Sequence, residues 1–163
     1  MMNASRAALG LRRFALGAVV LVLIQASVGM VVNLDVTIPD HHPGARPSNY
    51  LSGSASSIGW AISHGAPALA IHVTLGLALV IIVIGVAVRA FAVPSTPVRA
   101  WSILGALLVI GAGFNGASFL DFNNDISSLI MALLAFAAVA CYAIVINLLA
   151  GQLAARTAGA AGS

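Results

Sequence analysis

Residues 66–88 read APALAIHVTLGLALVIIVIGVAV, a stretch without one Asp, Glu, Lys or Arg. An α-helix rises about 1.5 Å per residue, so about 20 apolar residues cross the ~30 Å hydrocarbon core of a bilayer. This stretch is long enough, and Arg89 closes it. Three further segments have the same character: about Phe14 to Val32, Ile103 to Leu120 with Trp101 at its start, and Ile126 to Leu149. Backbone polar groups in lipid must pair within their own segment, so each span is predicted to be helical. The expected fold class is all-α: an integral membrane four-helix bundle forming a single domain over residues 1–150.

The rest of the chain agrees. Apolar residues make up 61% and charged residues 7% of the 163 positions, and mean hydropathy is +1.07. A soluble protein is about 25% charged. So little charge cannot cover a water-facing surface, and lipid is the expected solvent. All basic residues are Arg and all acids are Asp. Arg without Lys, in a chain rich in Ala, Gly and Val, points to a GC-rich bacterial genome. The high pI reflects few charges rather than a basic patch, so no nucleic-acid partner is expected. The single cysteine, Cys141, excludes an intrachain disulfide and a multi-cysteine metal site.

Arg placement sets the orientation. Arg6, Arg12 and Arg13 precede the first span, Arg89 and Arg99 flank the connection between spans two and three, and Arg156 follows the fourth. In a four-span chain these regions share one side, predicted to be the cytoplasm of a bacterial cell membrane. The other side holds all the acids and only Arg46. Both termini are therefore expected inside. The Arg12–Arg13 pair resembles a signal n-region, but the apolar run after it is longer than an h-region and lacks a small-x-small cleavage site, so the span is expected to be retained.

One sizeable segment lies outside the spans, residues 33–65, the outer loop between the first two. Its prolines and glycines break regular structure, and Ile58 to Ile62 with Trp60 is expected to form a short interfacial helix. The tail 151–163, GQLAARTAGAAGS, is expected to be flexible and cytoplasmic.

Polar residues inside spans need a reason. Counted from the outer ends at ~1.5 Å per residue, Gln25, His72, Asn115 and Met131 fall about 9–12 Å deep, one on each span. Residues three or four apart share a helix face. Gln25 then lies with Gly29 and Asn33, His72 with Ala68 and Gly76, Asn115 with Gly111 and Ser118, and Met131 with Ser128 and Ala135. Small and polar residues mark helix contacts in membranes, so Gln25, His72 and Asn115 are expected to face the bundle interior. The plainer reading is that they fix helix register; the functional reading is that they line a cofactor or ligand pocket.

Haem b is the sharpest cofactor for such a pocket, with His72 as one axial ligand and Met131, or His72 of a second copy, as the other. The layout resembles one four-helix half of haem A synthase, or a cytochrome b561-type bundle; those families use histidines on more than one helix, and here the third and fourth spans have none. Copper and quinone suit the same pocket. In the outer loop, adjacent Asp40, His41 and His42 form a candidate Zn or Cu(II) site. A transporter component is a third reading, but coupled carriers place an acid within the membrane, and no span has one at depth. Nucleophile-elbow, HExxH and phosphate-loop patterns are lacking. Near the inner end of the fourth span, Cys141 is expected to be packing and Tyr142 an interfacial anchor. Asp125 or Ser127 is expected to cap the fourth helix.

Taken together, the residues favour a non-enzymatic accessory subunit that meets a membrane-protein partner, or a second copy, through its outer loop. The redox-cofactor protein is the alternative. The orientation is directly testable. Green fluorescent protein fused after Ser163 should fluoresce and alkaline phosphatase inserted near Ser48 should be active; the reverse pattern would invert the topology.

Overall fold

A computed structural model describes residues 2–161, all helices and connections. In chain order the helices are α1 (Met2–Asp35), α2 (Tyr50–His64), α3 (Pro67–Ala90), α4 (Thr96–Phe122) and α5 (Asp125–Ala161). Four of them, all but α2, are long and apolar enough to cross a membrane. At ~1.5 Å per residue, α1 (34 residues) and α5 (37 residues) reach about 50–55 Å, well beyond the hydrocarbon core. The predicted spans are thus the apolar middles of longer helices. Helix α5 continues through most of the expected tail to Ala161, and Gly162 and Ser163 lie outside the described residues.

The four long helices form a ring in the order α1, α3, α4, α5. Each packs against its two neighbours, the α4–α5 contact is the most extensive, and among the described residues the backbones of the diagonal pairs do not approach. The short α3–α4 and α4–α5 connections favour antiparallel neighbours. The ring's outward surface is apolar: Ile81 is 73% exposed, and Leu16, Val88, Leu107, Leu133 and Phe136 are also exposed. Water would penalise such a surface and hydrocarbon would not, so the chain is read as a small multi-pass membrane protein.

The interior has two apolar clusters. The larger unites Ala8, Leu11, Ala15 and Val22 of α1, Val83, Val86 and Ala90 of α3, Val93 of the connection, Val98 and Val109 of α4, and Tyr142, Val145 and Leu149 of α5. It lies at the end of the bundle that carries the α3–α4 connection. There the Arg89 guanidinium stands 4.1 Å from the centre of the Phe14 ring, and Arg99 donates from Nε and Nη2 to the Val93 carbonyl, both at 3.2 Å. Pro97 lies in the first turn of α4, where its missing N–H costs nothing. The smaller cluster, Val32, Ile38, Ala61, Leu69 and Leu120, lies at the opposite end. Between them α1 has no fully buried side chain from residue 23 to 31, α3 none from 70 to 78, and α5 none from 125 to 137. Full burial on α1, α3 and α5 is thus concentrated at the Arg-bearing end, while α4 carries it further along, at Ala112 and Ala117.

Tyr142 departs from expectation. It is fully buried in the larger cluster, not placed at an interface. Its ring occupies the space left by Gly105 of α4, where an added Cβ would lie 2.9 Å from Tyr142 Cζ and 3.3 Å from Cys141 Cβ. Cys141 is buried beside it, as expected of packing. The α5 cap also differs: Asn124, not Asp125 or Ser127, accepts the Ile126 N–H through Oδ1 at 3.0 Å.

Gly105→Val should force these two helices apart and cost about 1–3 kcal/mol. Gly113→Ala, whose nearest foreign atom is Val80 Cγ2 at 4.0 Å, should cost much less. Unfolding of the two variants in mild detergent compares them.

Candidate functional site

Two polar assemblies stand out, one within the ring and one on its end. The inner one joins α1 to α3. Gln25 Nε2 donates to the His72 backbone carbonyl at 2.9 Å and lies 3.3 Å from His72 Nε2. Each side chain rests where the other helix has a glycine. A Cβ on Gly29 would meet His72 Cε1 at 2.7 Å, and one on Gly76 would meet Gln25 Nε2 at 3.1 Å. The two helices exchange a polar side chain for a glycine in both directions, one turn apart. Two buried polar atoms are left over, Gln25 Oε1 and His72 Nδ1, neither with a partner among the described residues.

The other two members of the expected polar layer do not join this pair. Asn115 turns back on its own helix and donates from Nδ2 to the Gly111 carbonyl at 2.9 Å. Met131 lies against Gly116, where an added Cβ would stand 3.2 Å from its sulfur; it fills the α4–α5 interface. Asn33 is tied to α5, accepting from Ser128 Oγ at 3.2 Å.

The second assembly is a cap made of the 36–49 loop and α2. The expected Ile58–Ile62 helix proves to be a longer one, Tyr50–His64, started by Asn49, whose Oδ1 accepts the Ser52 N–H at 3.2 Å. Helix α2 packs on α3 and α4, and among the described residues its backbone approaches neither α1 nor α5. Its inward face comprises Gly53, Ser54, Ser57 and Ala61, at the spacing of one helical stripe. The loop folds back closely enough that Pro47 fills the space beside Gly53, and Gly44, at φ +95°, takes a backbone conformation that L side chains rarely adopt.

Most ties of the cap run to the end of α4. Tyr50 Oη donates to the Phe114 carbonyl at 2.9 Å and lies 3.0 Å from Ser118 Oγ. Ser54 Oγ donates to Asp121 Oδ2 at 2.7 Å. The Arg46 N–H donates to the Asp121 carbonyl at 2.8 Å. His42 stacks on Trp60 with ring centres 4.4 Å apart, and its Nε2 and Nδ1 stand 3.1 and 3.0 Å from the Leu120 and Pro43 carbonyls. The last carbonyls of a helix have no partner within it; here Phe119 O accepts from Asn123, and the loop takes the next two.

The outer trio divides accordingly. His42 is a bridge between loop and helix, His41 is exposed, and Asp40 lies on the rim of a cavity beside the loop. Among the described residues no three His, Cys, Asp or Glu side chains converge as a metal-holding group. Asp121 is a site residue that the expectations above do not include. In DFNND it reads as part of a polar turn, yet it is 2% exposed. Its position directly after a span, opposite a serine-rich segment, was the available signal.

No protein-family model, curated protein or solved structure matches this chain.

The Gln25–His72 contact is open to a double-mutant cycle with Gln25→Leu and His72→Leu. Its coupling should be about 0.6 kcal/mol, the usual size of an interhelical polar pair. Gly29→Ala should cost more than Gly76→Ala, because the first meets a ring and the second the tip of a flexible chain. Thermal unfolding in detergent measures both.

Proposed function

We propose that this protein is a non-enzymatic accessory subunit of a bacterial cytoplasmic-membrane complex, with its termini in the cytoplasm, and that it meets a membrane-protein partner through the outer cap. The observation that carries this reading is the number of specific ties spent on the cap. A solvated linker between two spans needs none of them. Ordering a surface beforehand lowers the entropic cost of binding, and the cap presents an ordered outward helix face, Leu51, Ala55, Gly59 and Ile62. Leu51 is 71% exposed. Small residues between larger apolar ones allow another helix to approach closely.

A second reading rests on His72 Nδ1 and Gln25 Oε1. A donor or acceptor left without a partner is costly in an apolar interior. A ligand offering both a hydrogen-bond donor and an acceptor, such as a quinol hydroxyl, would satisfy both atoms, and a quinone carbonyl would take an imidazole N–H alone; haem b or copper would take an unprotonated imidazole nitrogen. An optical spectrum and metal analysis of purified wild type and His72→Ala test it. A cofactor present in both or in neither removes this reading.

Cross-linking tests the partner. With Cys141→Ser as background, Ala55→Cys should give one defined adduct in native membranes, and lipid-facing Ile81→Cys should not. Identical products from both positions, or none from Ala55→Cys, would overturn the proposal.

A further inference from the structure

The Arg-bearing end of the bundle carries side-chain charge of one sign only. The chain's four acids lie at the other end: Asp35 closes α1, Asp40 stands in the 36–49 loop, and Asp121 and Asp125 flank the α4–α5 connection. Arg12, Arg13 and Arg89 are exposed at the Arg-bearing end. Arg99 differs from them, because its guanidinium is committed to the Val93 carbonyl. The Arg89 guanidinium is held in place without being used up. It lies over the Phe14 ring of α1, 4.1 Å from the centre, and its N–H groups meet no acceptor among the described residues.

A ring face attracts a cation electrostatically and takes no conventional hydrogen bond from it. The N–H fork of Arg89 therefore stays available for bidentate recognition of a phosphate. Phe14 is 42% exposed on the apolar outer surface, so the fork stands at the boundary between headgroups and hydrocarbon. One turn further into the bilayer both helices carry a glycine. Gly17 lies four residues from Arg13 and three from Phe14, and Gly85 lies four from Arg89. Residues at these spacings share a helix face. A Cβ added at either glycine would meet nothing within 4 Å. Beside the cations the α1–α3 seam thus has an open apolar furrow, continued one turn deeper by Leu21 and by exposed Ile81.

We propose that the α1–α3 seam at the Arg-bearing end binds one anionic phospholipid, its phosphodiester gripped by Arg89 with Arg13 beside it and one acyl chain laid along Gly17 and Gly85. Basic pockets between membrane helices suit anionic headgroups. This one adds a cation positioned in advance and space for a chain. Charge and furrow select together. A zwitterionic lipid brings its own cation to an end that has no acid to receive it, and free phosphate leaves the furrow unfilled. The bound lipid joins α1 to α3 at headgroup level, as Gln25 and His72 join them at depth. The site requires only that the four long helices span a bilayer.

The test presents the full chain, in a non-ionic detergent, with equal amounts of phosphatidylglycerol and phosphatidylethanolamine of identical acyl chains, and native mass spectrometry weighs what is retained. Wild type should hold a single phosphatidylglycerol in preference to phosphatidylethanolamine. Arg89→Gln should lower that preference about fivefold, the share of one basic residue at an anionic surface. Arg6→Gln removes the same charge from an exposed position of α1 about two turns from Arg13, and should change it much less. Phe14→Leu keeps every charge but releases Arg89, and should also lower the preference. Gly17→Leu fills the furrow and should lower retention with all cations in place. These two variants carry the test if Arg89→Gln fails to fold. Equal retention of the two lipids by wild type, or no loss in both Phe14→Leu and Gly17→Leu, would overturn the proposal. Equal losses in Arg6→Gln and Arg89→Gln would mark a diffuse field rather than a site and overturn it as well. So would displacement of the lipid by an equal concentration of inorganic phosphate, which would mark an anion site indifferent to the chain.

Discussion

Hydrocarbon supplies no hydrogen-bond partner, and this deficit governs where every polar group of the chain is placed. Within the long helices the backbone satisfies itself, so the outward faces need only be apolar. The difficulty moves to the helix ends and to the few polar side chains at depth. At the end of α4 the loop and α2 take up the free carbonyls of Leu120 and Asp121. Inside the ring, Gln25 takes the carbonyl of His72. The cap and the polar pair thus answer the same requirement at two depths.

The two answers differ in completeness. The α1–α3 exchange of side chain for glycine is geometrically reciprocal but leaves Gln25 Oε1 and His72 Nδ1 over. The cap is dense in ties and leaves Asp121 Oδ1 and Ser57 Oγ over among the described residues. Natural proteins leave few buried polar atoms unpaired, and each has an account. Here these remainders lie in the half-buried middle of the bundle or beneath the cap. The tightly packed Arg-bearing end also holds unpaired hydroxyls, Ser102 Oγ and Tyr142 Oη, and the structure offers no account of these.

What the sequence could reveal was whatever periodicity and hydropathy control. The spans were legible because long uncharged runs have few alternatives. The Gln25–His72 contact was legible because Gly29 and Gly76 stand one turn from each, marking the faces that approach. Asn115 carries the same signal with Gly111 but bonds within its own helix, since an asparagine can reach the carbonyl four residues back as readily as a neighbour. The full extent of α2 was hidden by its Ser and Gly content, which suits loops; Asn49 at its start and burial of the Ser54–Ser57–Ala61 stripe outweigh that propensity. Asp121 was hidden because burial of a turn residue depends on a segment some 67 positions away in sequence.

The uneven burial along the bundle sets how much change each level tolerates. A close-packed interior feels the addition of a single methylene, so the Arg-bearing end, where Ala15, Val83, Val86 and Tyr142 are fully buried, has little latitude in side-chain volume. On α1, α3 and α5 between the two clusters side chains keep partial exposure and the latitude is wider, except where Gly29 and Gly76 receive a neighbour's side chain. The cap is anchored mainly to α4, the helix whose buried positions run from Val98 to Asp121.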